Sequence, residues 1–194
     1  MATVGLRDLH YAIITNDDET GTEYGEIKRI AGAITANLST AYNTANLRAD
    51  DGVVATAEAK GVTTVTLNAA DLTKEVKADL LGQTINDDGV LIEGDHDTPP
   101  YVAIGWKSEK ANGEFRYVWL YKGKFHLPEE NYETKQETPA FQTPTLNGQF
   151  IARESDRERK AEVDSDDAGI DQSIIDNWFN EVYTASNGGG GVEG

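Results

Sequence analysis

The 194-residue chain contains no cysteine, which excludes a disulfide framework and a thiolate metal site and suits a reducing compartment. Long apolar runs are missing as well. A membrane-spanning helix needs about 18 consecutive apolar residues, and none occurs; the opening MATVGLRDLH lacks an apolar signal segment. The expectation is a soluble protein made in a cytoplasm, with no membrane partner. Positive charge is scarce: 17 Lys and Arg stand against 34 Asp and Glu, a formal charge of −17. A nucleic-acid binder gathers positive charge to displace counterions from phosphates, so sequence-specific nucleic-acid binding is excluded.

Catalytic motifs are lacking too. No GxSxG, GxGxxG or GxxxxGK[ST] occurs, and Gly188 to Gly191 is followed by Val and Glu rather than by Lys and a hydroxyl. His10, His96 and His126 are far apart, and none belongs to an HExxH pair. A calcium loop needs oxygen ligands at positions 1, 3 and 5, Gly at 6 and Glu at 12. Counting from Asn16, Asp18, Thr20 and Gly21 fit, but the twelfth residue is Ile27. Counting from Asp164, Asp166 and Gly169 fit, but the fifth residue is Ala168 and the twelfth Ile175. Nothing singles out a carboxylate pair for glycoside chemistry. No catalytic, cofactor-binding or metal residue is nominated, and no enzyme is expected.

What the chain does have is Tyr101 to His126, YVAIGWKSEKANGEFRYVWLYKGKFH, with seven of the sixteen aromatic residues. Asn112-Gly113 at its middle suits a type I′ turn, whose two central residues need positive φ. That turn pairs Trp106 with Trp119, Ile104 with Tyr121, Ser108 with Tyr117 and Val102 with Gly123 on an aromatic face. The other face pairs Glu109 with Arg116, Lys107 with Val118 and Gly105 with Leu120. The separation of faces argues for this register.

Residues 6–15 read as a first strand, ended by the turn-forming run Asn16 to Gly21. Glu26 to Ala36 resumes an extended pattern anchored by Ile30 and Ile34. From Thr35 to Asn68 the chain is rich in Thr, Ala, Asn and Val and poor in large apolar groups. Two long strands joined near Asp50-Asp51-Gly52 are expected, forming an arm with little to bury against its own domain. Asp71 to Leu81 reads as a helix, with Leu72, Val76 and Leu80 on one face, Asp71 or Thr73 as cap and Gly82 just past its end. A brief VLI run and the acidic loop Glu93 to Asp97 follow. Pro128 to Gln142 is polar and proline-interrupted. Phe141 to Ala152 reads as one bent strand with a glycine bulge, and Arg153 to Val163 as a charged edge. Asp171 to Tyr183 forms a second helix with Ile174, Ile175, Trp178, Phe179 and Val182 as its stripe. Full burial of that stripe contributes about 7–15 kcal/mol gross. Its acidic opposite face suits packing on protein rather than on a membrane.

Strands dominate without a βαβ rhythm, so the fold class is mainly β (α+β): an antiparallel β-sandwich or barrel with one or two flanking helices. Residues 1–184 are expected to form a single domain with its long arm near 35–68. Residues 185–194, ending in a Gly-rich stretch, are expected to be a flexible tail.

VGLRDLHYAIIT at the start, ADDG at 49–52, DLTKEVKADLLG at 71–82, PPYVAIGWKSEKANGEFRYVWLYKGKF at 99–125, FQTPTLNGQF at 141–150 and IDNWFNEVY at 175–183 occur in that order. Together they resemble the major tail proteins (tail tube proteins) of long, non-contractile-tailed bacteriophages of Gram-positive bacteria, over nearly the whole chain to about residue 184. The resemblance implies a tail-tube-like β core related to the tube protein of type VI secretion. It further implies a structural subunit of the virion tail, made in the bacterial host cytoplasm. Such subunits form hexameric rings that stack into a tube around the tape-measure protein and meet other tail proteins. Phage DNA later passes through without specific binding. The small residues around Ala55 to Ala59 and the glycine-rich end depart from the pattern. The alternative is a carbohydrate- or protein-binding β-sandwich module of a virion. An exposed aromatic platform on the hairpin favours that alternative, and burial of Trp106 and Trp119 counts against it.

Overall fold

A computed structural model of the chain describes residues 3–49, 52–129 and 143–185. Its elements in chain order are β1 (Thr3–Asp18), β2 (Gly21–Tyr24), β3 (Lys28–Arg29), β4 (Ala33–Ala49), β5 (Gly52–Ala69), α1 (Lys74–Leu81), β6 (Thr84–Ile85), β7 (Leu91–Ile92), β8 (Val102–Lys110), β9 (Phe115–Glu129), β10 (Thr145–Ile151), β11 (Lys160–Asp164) and α2 (Gln172–Asn177). One antiparallel sheet runs β2-β1-β8-β9-β10-β5-β4, with β3 on β1 and β11 on β9. β9 is long enough to carry β8 along one edge and β11 followed by β10 along the other. The sheet curls until β4 lies beside β1 without a ladder between them among the described residues, so it is not a closed barrel. A mainly β, sandwich-like architecture with two flanking helices is what the sequence led us to expect.

Both faces of the β8–β9 hairpin are apolar, because each is covered. On one side Val102, Ile104, Trp106, Val118 and Leu120 meet Val76, Leu80 and Leu81 of α1, together with Val65, Leu67 and Phe150. On the other, Ala103, Trp119 and Tyr121 lie under Ile175, Trp178 and Val182. Thr73 caps α1, with its hydroxyl accepting from the Val76 N–H, and Gly82 ends it in the left-handed conformation.

The hairpin register differs from the expected one by a single residue. Trp119 stands opposite Gly105, Trp106 opposite Val118, and Ile104 opposite Leu120; the Val102–Gly123 pair survives only beyond a bulge. The two tryptophans therefore lie on opposite faces. The cause is the turn. Lys110 N–H donates to Glu114 O at 2.7 Å and Gly113 N–H to Lys110 O at 2.9 Å, which closes a three-residue loop. Gly113 alone in it has positive φ, at 86°, the pattern of a type I turn followed by a glycine bulge. Asn112 is tied down by donating its side-chain amide to Asp166 at 2.7 Å.

Four smaller expectations are corrected. Ile34 sits in a β-bulge and is exposed, whereas Ile30 is buried. Gly148 is regularly paired and faces the Phe125 ring too closely for a Cβ; the bulge lies between Thr145 and Asn147. Arg153 is buried rather than a charged edge residue, with its guanidinium 3.7 Å from the Tyr121 ring centre. α2 stops at Asn177, because Trp119 Nε1 donates to the Trp178 carbonyl at 2.9 Å and takes the acceptor a continuing helix would use. The apolar stripe is nevertheless packed as expected, with Ile175, Trp178 and Val182 buried. Most of the polar Pro128 to Gln142 stretch and all of the 186–194 glycine-rich end lie outside the described residues.

Candidate functional site

The outer half of the β4–β5 arm has little support from its own domain among the described residues, whereas its root lies in the sheet and core. β10 pairs β5 only from Thr63 to Asn68. From Tyr42↔Lys60 to Ala49↔Gly52 the two strands pair only with each other among the described residues. Such a two-stranded ribbon is marginal in water by itself. Its eight paired residues per strand, at about 3.3 Å each, reach roughly 25 Å beyond the sheet. On β4, alternate residues continue the core-facing side outward: Ala36 packs on the core, Leu38 is 39% exposed and Tyr42 59% exposed.

A β-bulge at the root sets where the ribbon leaves the sheet. Between Thr40↔Thr63 and Tyr42↔Lys60, β5 carries one extra residue. The carbonyls this turns outward are captured by Arg159, which donates to Gly61 O at 2.6 Å and to Lys60 O at 3.3 Å. Arg159 is itself anchored, its own carbonyl accepting from Tyr121 N–H at 3.0 Å. Gly61 fits because Ala41 lies close on the facing strand. No motif announces Arg159; only its place after β10 in a charged segment hinted at a surface role.

The remaining charges mostly serve the frame. Lys110 bridges Asp164 and Asp166, and Arg116 grips Asp164 through two hydrogen bonds of 2.6 and 2.9 Å. The Arg116 hydrogen bond, aided by Lys110, holds the Asp164 carboxyl far below the ordinary range. Lys122 pairs with the nearly buried Asp17 at 2.5 Å. Arg153 is held by Asp156 and Glu158, and burial beside it pushes the Tyr24 hydroxyl up to about 12. Tyr24, Arg153, Asp156 and Glu158 line an open groove of about 650 Å³, but the buried Arg153 cation there is already neutralised.

The residues tested for chemistry are not brought together. His10 stacks on Phe179, with ring centres 4.4 Å apart, His96 lies in an exposed loop and His126 is exposed on β9. Asp164, Asp166 and Asp167 are close enough to share a cation, yet Lys110 and Arg116 already occupy two of these carboxylates. Ile175, where a calcium loop would need its bidentate ligand, is buried under the sheet. Trp106 and Trp119 are buried, so the hairpin offers no aromatic platform for a carbohydrate, which counts against the binding-module alternative.

A curled antiparallel sheet with a projecting ribbon, its described charges mostly paired within the frame, defines a mainly β protein. The chain belongs to the phage tail tube protein family, whose model matches residues 1–187. Among individually curated proteins, none matches it. Membership carries a structural role in the virion tail and self-assembly with other tail components. No helix among the described residues is long and apolar enough to cross a membrane.

Proposed function

We propose that this protein is the major tail tube subunit, stacking as hexameric rings into the tube that surrounds the tape-measure protein and later conducts the genome. Residues 1–184 act as one domain, with its arm near 35–68 bridging to a neighbouring subunit. The protein is made in the cytoplasm of a Gram-positive host and works without catalysis, cofactor or metal. The observation that carries this reading is the β4–β5 ribbon, which leaves its own core and needs another surface to cover it. Family membership supplies the kind of surface: another copy of the chain. The acidic balance suits a conduit, since net negative charge repels phosphates and lets DNA slide without sticking.

At −17 per chain, a ring of six carries roughly −100, a repulsion that salt weakens as the screening length falls to about 10 Å at 0.1 M. Sedimentation velocity across a salt series tests the reading. Large assemblies should grow as salt rises from very dilute to moderate. A species that stays monomeric at high concentration in every salt overturns it.

A further inference from the structure

Among the described residues the exposed large hydrophobic side chains, Tyr101 apart, fall into two groups. One is on the arm and its root: Ile34, Leu38, Tyr42 and Val62. The other is Val90 and Ile92, 54% and 50% exposed, on the small β6–β7 hairpin. The second group is held rigidly. Asn86 N–H donates to Val90 O and Gly89 N–H to Asn86 O, each at 2.9 Å, and the Asn86 side chain accepts from Val90 N–H at 2.8 Å. Lys74 ties the turn to α1 by donating to Gly89 O at 2.7 Å, and Gln83 donates to Glu93 at 3.1 Å. Alternation along the strand sends Val90 and Ile92 to one side and the half-buried Leu91 to the other. Among the described residues nothing covers this fixed apolar pair, which makes it a candidate contact surface.

The two groups also match in charge. The β6–β7 hairpin and its following loop carry Asp87, Asp88, Glu93, Asp95 and Asp97 without a Lys or Arg. The arm from 33 to 69 holds two basic and three acidic residues, nearly neutral in a chain of −17. Its exposed Lys60 lies directly opposite Tyr42 across the ribbon. At its root the arm thus presents Leu38 and Tyr42 beside the Lys60 cation, with Glu58 two residues farther out, and the hairpin presents apolar groups among anions. We propose that the β6–β7 hairpin is the docking site for the β4–β5 arm of a second copy, with Leu38 and Tyr42 covering Val90 and Ile92 while Lys60 meets Asp87 and Asp88. The contact joins two different patches, so it propagates from copy to copy as a ring or stack requires. This rests on the tube-subunit reading and names the surfaces it uses.

The absence of native cysteine makes a disulfide test clean. Tyr42→Cys and Ile92→Cys proteins are mixed, assembled in moderate salt and oxidised, with Tyr42→Cys plus Asp176→Cys as the control pair. A disulfide needs Cβ atoms about 3.8 Å apart, so only direct contact links them. The expected result is a covalent dimer at least tenfold more abundant for the first pair than for the control. In parallel, Lys60→Glu should raise the concentration needed for assembly by about tenfold, and Lys60→Glu combined with Asp87→Lys and Asp88→Lys should restore it. Wild-type tubes with no Tyr42–Ile92 link and no charge-reversal rescue overturn this docking site and leave the tube reading intact. Failure of the wild-type protein to assemble overturns both.

Discussion

Gly105→Ala is the sharpest probe of the hairpin register. Gly105 stands opposite Trp119, and a Cβ there would lie 2.6 to 2.7 Å from three atoms of the indole. The ring cannot retreat cheaply: it is fully buried under α2, and its Nε1 donates to Trp178 O at 2.9 Å. Overpacking of this kind costs about 1–3 kcal/mol. Displacing the ring also threatens a buried N–H, whose loss of a partner costs about 1–3 kcal/mol. The sum, about 2–6 kcal/mol, should lower Tm by roughly 4–24 °C in a chain of this size. Gly113→Ala is the control. Nothing lies within 4 Å of a Cβ there, so only the positive φ is penalised, at about 1–2 kcal/mol. Denaturant unfolding followed by tryptophan fluorescence gives both values. If Gly105→Ala costs no more than Gly113→Ala, Trp119 does not sit on Gly105 and the register is wrong.

Three further outcomes follow from the packing and charges. Trp178→Ala should cost about 3–5 kcal/mol, read as a Tm drop of order 10 °C, because the ring is buried between the sheet and Tyr183. Arg159→Ala should leave Tm nearly unchanged while hydrogen exchange quickens around Lys60 to Thr63, since it frees the two carbonyls at the arm root; unchanged exchange would remove Arg159 as the clamp. Stability should fall on acidification. Hydrogen bonds from Arg116 to Asp164, from Lys110 to Asp166 and from Lys107 to Asp8 lower those carboxyls, and at Asp17 burial is outweighed by Lys122 and Thr22. Groups lowered by folding stabilise above their unfolded value near 4 and lose that contribution as pH falls through the folded value. His10, lowered by burial, adds a smaller loss that begins below about pH 6.5. A Tm that rises between pH 5 and 3 would contradict these pairings.

Elements whose signals are local were legible in the sequence. Thr73 and Gly82 bracket α1 because capping depends on a few neighbouring atoms. Two long strands rich in Thr, Val and Ala, β4 and β5, were likewise readable, while Asp50 and Asp51 of the expected join lie outside the described residues. The hairpin register was not legible, for two reasons. Asn112-Gly113 suits a two-residue and a three-residue loop alike, and the Asp166 and Lys110 contacts that favour the longer one come from 54 and more residues away. The argument from one aromatic face also failed, because α2 and α1 cover opposite sides and both faces had to be apolar. The length of α2 depended likewise on an indole from β9. That the outer arm lacks core partners was readable from composition, but the root from Thr63 to Asn68 corrects the expectation, since it pairs with β10 and buries Val65 and Leu67 in the core; Arg159 and the Val90–Ile92 pair needed the fold to gain meaning.

Electron microscopy of the concentrated protein in moderate salt tests the central claim most directly. The account predicts hollow tubes of stacked rings with six-fold symmetry in end view, and density for the β4–β5 arm crossing into a neighbouring subunit. Monomers at every concentration and salt, or tubes whose arms fold back on their own subunit, would contradict it.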